Sequence, residues 1–139
     1  MIQIIAGEKG KGKTTHLLEK ANAAAKEANG SVVFIDKSTK HMYELDRKIR
    51  LIDLFDYPIH SYAGFVGFLC GIISQDHDIE QVYLDSFLKL AHLSAEEIES
   101  AIDELCKLGD KFGVTFIMSI SASKESLPKN AQDATIISL

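Results

Sequence analysis

Short, almost continuously apolar runs alternate with longer helical patterns along this chain, and this alternation constrains the fold more than any other feature. The runs are rich in β-branched or aromatic residues and cover 2–6, 31–36, 50–55, 81–87, 114–120 and 134–139. Strands that helices cover on both faces of a sheet have this continuous apolar character. We therefore predict an α/β fold of three layers, with helices on both sides of a mainly parallel sheet.

Helical periodicity separates these predicted strands. Apolar residues spaced by three or four predict helices over 13–28, 61–74 and 95–112 and, with a weaker pattern, over 40–48. Ser61 stands where it can cap the second of these helices, and Ser94 with Glu97 forms the S-x-x-E pattern of a capping box. The polar stretch 121–133 has no predicted element. It follows a strand end, where open α/β sheets place ligand sites.

Length and charge limit the classes of function. A chain of 139 residues predicts a single domain over 1–139. Its net charge of −5 argues against binding nucleic acid through the whole surface, which would need a basic face. Met1 leads into the first apolar run without the charged segment of a signal peptide, and the run 62–74 is too short to span a bilayer. We therefore expect a cytoplasmic protein that has no membrane-spanning segment. Cys70 and Cys106 lie in apolar stretches, which predicts reduced thiols in the core.

Residues 7–14, GEKGKGKT, match the pattern G-x-x-x-x-G-K-[ST], known as the P-loop or Walker A motif, between a predicted strand and a predicted helix. The glycines let the backbone fold around phosphate oxygens and expose N–H groups to them. Lys13 is expected to contact the β- and γ-phosphates of a nucleotide, and the Thr14 hydroxyl to ligate Mg²⁺. The predicted nucleotide-binding residues of this segment are Gly7, Glu8, Lys9, Gly10, Lys11, Gly12, Lys13, Thr14 and Thr15.

The alternative for this segment is a glycine-rich surface turn followed by a basic helix start. A cation at a helix N-terminus is unfavourable by about 0.3–1 kcal/mol, so that alternative leaves Lys13 unexplained. A bound polyphosphate explains it. Lys9 and Lys11 are interpreted as solvated loop lysines that add to the local positive field.

A P-loop needs a carboxylate that holds Mg²⁺ through water and normally ends a neighbouring apolar strand. Asp85 in "VYLDSF" fits this pattern, and we predict that it shares the metal with Thr14. Asp36 in "VVFID" has the same local appearance and is the rival candidate. For Asp85, the alternative is a residue that merely caps a strand end.

Taken in order, these segments resemble the RecA/KaiC-like branch of P-loop ATPases. "SVVFIDKS" is similar to the second strand of that branch, "YLDSF" to its Walker B strand, and "FIMSISAS" to the next strand, whose polar end senses the γ-phosphate. The resemblance implies a RecA-like P-loop NTPase core that binds ATP or ADP with Mg²⁺. It also implies that Ser119 and Ser121 lie near the nucleotide, although plain polar residues at a strand end are an equal alternative.

The same resemblance implies an order of strands. The P-loop strand is expected between the Walker B strand and strand 114–120, and the strand that ends at Asp36 on the other side of the Walker B strand. Ring assembly is common in this branch, which implies a homo-oligomer or another protein partner.

One departure from the branch concerns catalysis. Its active members place a glutamate after the second strand to activate the attacking water, whereas this chain has Asp36-Lys37-Ser38 there. Asp36 is therefore the candidate general base, because a carboxylate of suitable pKa within reach of the water suffices, and Glu44 is a second candidate. The only arginines are Arg47 and Arg50. Either could act as an arginine finger across a subunit contact, and the alternative is that both are solvated charges beside a strand.

The sequence thus predicts a Mg²⁺–nucleotide-binding protein that hydrolyses ATP slowly or only with a partner. A non-catalytic adaptor that senses nucleotide is a second hypothesis. A small-molecule phosphotransferase is a third, but it would need a lid with arginines that clamp the phosphates. The chain lacks the N-K-x-D motif that reads guanine in GTPases, which favours ATP.

Overall fold

The computed structural model describes residues 1–139 and confirms an α/β fold with a parallel sheet. In chain order the elements are β1 (Ile2–Gly7), α1 (Lys13–Glu27), β2 (Ser31–Asp36), β3 (Ile49–Asp53), α2 (Tyr62–Gln75), β4 (Ile79–Leu84), α3 (Phe87–Leu90), α4 (Ile98–Phe112), β5 (Thr115–Ser121), α5 (Lys129–Ala134) and β6 (Thr135–Ser138). Because β4 ends at Leu84, Asp85 is the first residue beyond the strand.

All strand pairs are parallel, and the order of the six strands is β3-β2-β4-β5-β1-β6. The expected pairing of the P-loop strand β1 with β5 is confirmed, but its expected pairing with β4 was wrong: β5 lies between β4 and β1, and β6 is the other neighbour of β1. Continuous apolarity shows that a strand is buried on both faces, but it carries no information about which strand lies beside it. The expectation that β2 lies on the other side of β4 is confirmed.

Side chains of the strands alternate between two apolar cores, one on each face of the sheet. On one face, α1 packs Leu17 and Ala21 against Ile5 and Phe34. The other face carries α2 and α4, and its larger core includes Leu69 and other apolar residues of both helices. The sheet is thus flanked by helices on both faces.

The predicted caps are confirmed. Gly64 N donates to Ser61 Oγ over 3.0 Å at the start of α2. Ser94 and Glu97 form the capping box before α4. None of the helices combines the length with the apolar character that crossing a membrane requires.

Other local predictions were wrong. Segment 40–48 holds only a short 3₁₀ turn, Met42–Glu44, because it has no apolar stripe that could dock on the sheet. The polar stretch 121–133 contains most of α5. Cys70 is exposed and Cys106 is half-buried, since α2 buries only the side that carries Phe65 and Leu69.

Candidate functional site

The connection between β1 and α1 has the backbone shape that its glycines permit. Gly10 and Gly12 have φ angles of 85° and 91°, in the left-handed region that other L-residues rarely adopt. Gly12 is the N-cap residue of α1, and no side chain caps this helix. The N–H groups of the first turn therefore remain free to bind an acceptor, and the positive end of the helix dipole favours an anion there.

Gly7 has a different structural reason to be glycine. A Cβ at this position would stand 2.9 Å from Leu139 Cβ, which is too close for two carbon atoms. The chain end lies here because Leu139 N donates to Ala6 O over 2.8 Å. Gly7 thus lets the C-terminal residue pack against the start of the glycine loop.

Lys13 lies in the first turn of α1, and its side chain is folded back over the loop. Its Nζ donates to Glu8 O over 3.0 Å, and the residue is only 8% exposed. Burial lowers the pKa of the Lys13 ammonium group from its ordinary value, and the Asp85 carboxylate opposes that shift. The glycine loop therefore holds a cation beside the free N–H groups of the helix.

Asp85 is the centre of a hydrogen-bonded cluster that joins three elements, and it is only 2% exposed. Thr14 Oγ1 donates to Asp85 Oδ2 over 3.1 Å, and Ser119 Oγ donates to Asp85 Oδ1 over 2.8 Å. Ser119 Oγ in turn accepts from Ser86 N over 2.7 Å. Hydroxyl and carboxylate oxygens are the ligands that Mg²⁺ prefers, so Thr14 and Asp85 could hold this metal.

These groups surround a cavity of about 460 Å³ with no apolar residue in its lining. The lining consists of Lys9, Gly10, Gly12, Lys13, Thr14, Lys37, Asp85, Ser86, Lys89, Ser119 and Ser121. Its four lysines face a single carboxylate, Asp85, although the chain as a whole is acidic. Two larger cavities lie beside β3 and are lined mostly by apolar residues.

The cavity brings together most of the residues that the sequence predicted, from the loop, from the end of β4 and from the end of β5. Glu8 contributes its carbonyl oxygen to Lys13, while its side chain is exposed. The other residues predicted in this segment, Gly7, Lys11 and Thr15, also lie outside the lining.

Asp36 also lies outside the cavity lining. It is 1% exposed, its Oδ1 accepts from Lys37 N over 2.7 Å, and its Oδ2 has no hydrogen-bond partner. Burial raises the pKa of the Asp36 carboxyl; the hydrogen bond from Lys37 opposes this shift, and the negative charge of Asp85 adds to it.

The other charged candidates lie away from the cavity. Glu44 is exposed and paired with His41. Arg50 forms an ion pair with Asp76, at 2.7 Å between Nη2 and Oδ2. Arg47 lines one of the cavities beside β3.

Sequence analysis missed three lining residues, Lys37, Ser86 and Lys89. Lys37 directly follows β2, whereas Ser86 and Lys89 follow β4. Their positions directly after strands could have indicated a role at the site, because parallel strands bring their carboxyl ends to one edge of the sheet. Ser86 also has a left-handed backbone, with φ 62° and ψ 57°, which is uncommon for a residue other than glycine.

Comparisons with known proteins give no family: no protein-family model matches the chain, and no curated protein matches it in sequence. The geometry of the cavity is therefore the basis for any assignment of function. It combines free N–H groups at a helix start, an excess of lysines, and an oxygen pair suited to a hard cation. These features together suit a phosphate-rich ligand that carries a divalent metal.

Proposed function

We propose that this protein binds a Mg²⁺–adenine nucleotide, ATP or ADP, in the cavity at the carboxyl edge of the sheet. The observation that carries the proposal is the meeting of the glycine loop, Lys13 and the Thr14–Asp85 pair in one polar cavity with four lysines. An acidic chain gains nothing from such a concentration of positive charge unless an anion binds there. The start of α1 adds N–H donors and the positive end of its dipole.

Each residue has a definite role in this proposal. Lys13 neutralises the β- and γ-phosphates. The Thr14 hydroxyl offers a lone pair to Mg²⁺, and Asp85 holds the metal through water. The order of motifs along the chain and the parallel sheet support a RecA/KaiC-like core, which is part of the proposal.

Catalysis is proposed to be slow or dependent on a partner. A general base must lie within hydrogen-bond reach of the attacking water, directly or through one more water. The only carboxylate in the lining is Asp85, which the proposal assigns to the metal. Asp36 is the next candidate, and it would have to gain access to the cavity to act.

That observation also favours a second candidate function, a nucleotide-sensing adaptor without catalysis. In such a protein, the nucleotide would change a surface that another protein recognises. A small-molecule phosphotransferase has less support, because no arginine lines the cavity to clamp a transferred phosphate.

The first test is isothermal titration of MgATP and MgADP into the wild type and Lys13→Ala. Lys11→Ala is the matched control, because Lys11 belongs to the same loop but is exposed and outside the cavity lining. We expect binding to the wild type, a loss of about tenfold or more in Lys13→Ala, and less than about threefold in Lys11→Ala. Equal losses in both variants would mean that only the net charge of the loop matters.

A folded wild type that binds neither nucleotide would contradict the proposed function. If binding is observed, a phosphate-release assay under multiple turnover separates the two candidate functions. Sustained release that Asp36→Asn abolishes would identify an ATPase and its base. Binding without any release, alone and with candidate partners, would favour the adaptor.

A further inference from the structure

Lys37 and Lys89 line the cavity on the side away from the glycine loop. In the sheet, β2 is separated from β1 by β4 and β5, and neighbouring strands lie about 4.8 Å apart. Lys37 follows β2 and reaches back toward β4, where its Nζ donates to Ser86 Oγ over 3.0 Å. The cavity thus has cations at both ends, with the Thr14–Asp85 pair between them.

The ammonium group of Lys37 forms no ion pair, although its charge acts to lower the pKa of the neighbouring Asp36 carboxyl. The ion pairs of the chain involve other cations, and the hydrogen-bond partner of Lys37 Nζ is the neutral hydroxyl of Ser86. Its charge is therefore available to an anion in the cavity. Within one chain, neither arginine offers a cation to an anion in this cavity, because Arg50 is paired with Asp76 and Arg47 lies beside β3.

Ser86 places these two lysines through a strained backbone. Its left-handed conformation is held by the hydrogen bond from its N–H to Ser119 Oγ. The same residue is the N-cap of α3, which carries Lys89. Strained residues persist where the surrounding structure fixes them, and they cluster at functional sites.

We propose that Lys37 binds the terminal phosphate of a nucleoside triphosphate, so that the chain distinguishes a triphosphate from a diphosphate. This inference rests on the proposed function. A P-loop lysine and the metal hold the β- and γ-phosphates, so the terminal phosphate lies on the Asp85–Ser86 side of the loop. Lys37 Nζ is held at Ser86 Oγ on that side, and a diphosphate lacks the group that would reach it.

The test compares the affinities of the wild type and Lys37→Met for MgADP and for the Mg²⁺ complex of a non-hydrolysable ATP analogue. Methionine keeps much of the unbranched side chain and removes the charge, and thermal melting confirms that the variant folds. Lys40→Met is the matched control, because Lys40 is exposed, follows the same strand and lies outside the cavity lining. Lys37→Arg keeps the charge.

We expect Lys37→Met to weaken binding of the triphosphate about tenfold and to change binding of the diphosphate less than about threefold. Lys40→Met should change neither, and Lys37→Arg should restore much of the preference for the triphosphate. An unchanged ratio of the two affinities in Lys37→Met would overturn the role of Lys37 while leaving nucleotide binding intact. A wild type that binds neither ligand would overturn the proposed function itself.

Discussion

Ser119→Ala tests the hydrogen-bonded cluster around Asp85 most directly. Ser119 is 1% exposed, donates to Asp85 Oδ1 over 2.8 Å and accepts from Ser86 N over 2.7 Å. The substitution removes a hydrogen bond to a carboxylate, worth about 1.5–3 kcal/mol, and leaves the Ser86 N–H without this partner, at a cost of about 1–3 kcal/mol. Ser86 is only half-buried and water can compensate in part, so we expect a total loss of about 2–4 kcal/mol in the free energy of unfolding.

The assay is urea unfolding followed by circular dichroism, together with thermal melting. For a chain of 139 residues, a loss of about 3 kcal/mol lowers the Tm by about 10 °C. Ser121→Ala is the control, because Ser121 lies two residues further along, lines the same cavity and is exposed, with no side-chain hydrogen bond in the structure. It should change stability by less than about 0.5 kcal/mol. If Ser119→Ala were no more destabilising than Ser121→Ala, the cluster would not hold the strand ends together.

Four further substitutions test three separate features. Burial raises the pKa of Asp36 above its unfolded value, so its ionisation destabilises the fold as the pH rises through the folded pKa. Asp36→Asn should therefore stabilise the protein at pH 8, and urea unfolding should show the gain shrinking toward pH 4. Gly12→Ala should lower stability by about 1–2 kcal/mol because of its positive φ, whereas Gly67→Ala, in open space on α2, should raise it by about 0.5–1 kcal/mol; thermal melts showing shifts of the same sign would contradict this. Ser61→Ala should cost about 1 kcal/mol in thermal melts by removing the cap of α2, and an unchanged Tm would show that the cap contributes nothing.

The sequence predicted those features whose cause is local. Continuous apolar runs located all six strands within a few residues, because burial on both faces keeps most positions of a strand apolar. The glycine loop could be recognised because a left-handed backbone at Gly10 and Gly12 requires glycine. Ser61 and the Ser94–Glu97 pair were predicted for the same reason, since a cap contacts only its own helix turn.

Features that depend on which strands are neighbours could not be predicted in this way. The sequence does not reveal that β5 lies between β4 and β1. Ser119 and Asp85 were both expected near the nucleotide, but their hydrogen bond was not predicted. Lys37 looks like any polar residue after a strand, and even the expected place of β2 beside β4 does not show that its side chain reaches Ser86. The exposure of Cys70 depends on which side of α2 docks on the sheet, and a helix that is apolar on most sides does not reveal it.

The strand order also separates two kinds of residue at the candidate site. Since Leu84 pairs with Met118, the residues that follow them, Asp85 and Ser119, meet at the carboxyl ends of β4 and β5. Changes at these two positions should alter stability as well as ligand affinity, because they also join strand ends. Lys37 contacts the cluster only through a neutral hydroxyl, so its loss should alter affinity and leave stability nearly unchanged. A Lys37→Met variant that melted well below the wild type would show that the lysine is part of the fold and not a free cation for a ligand.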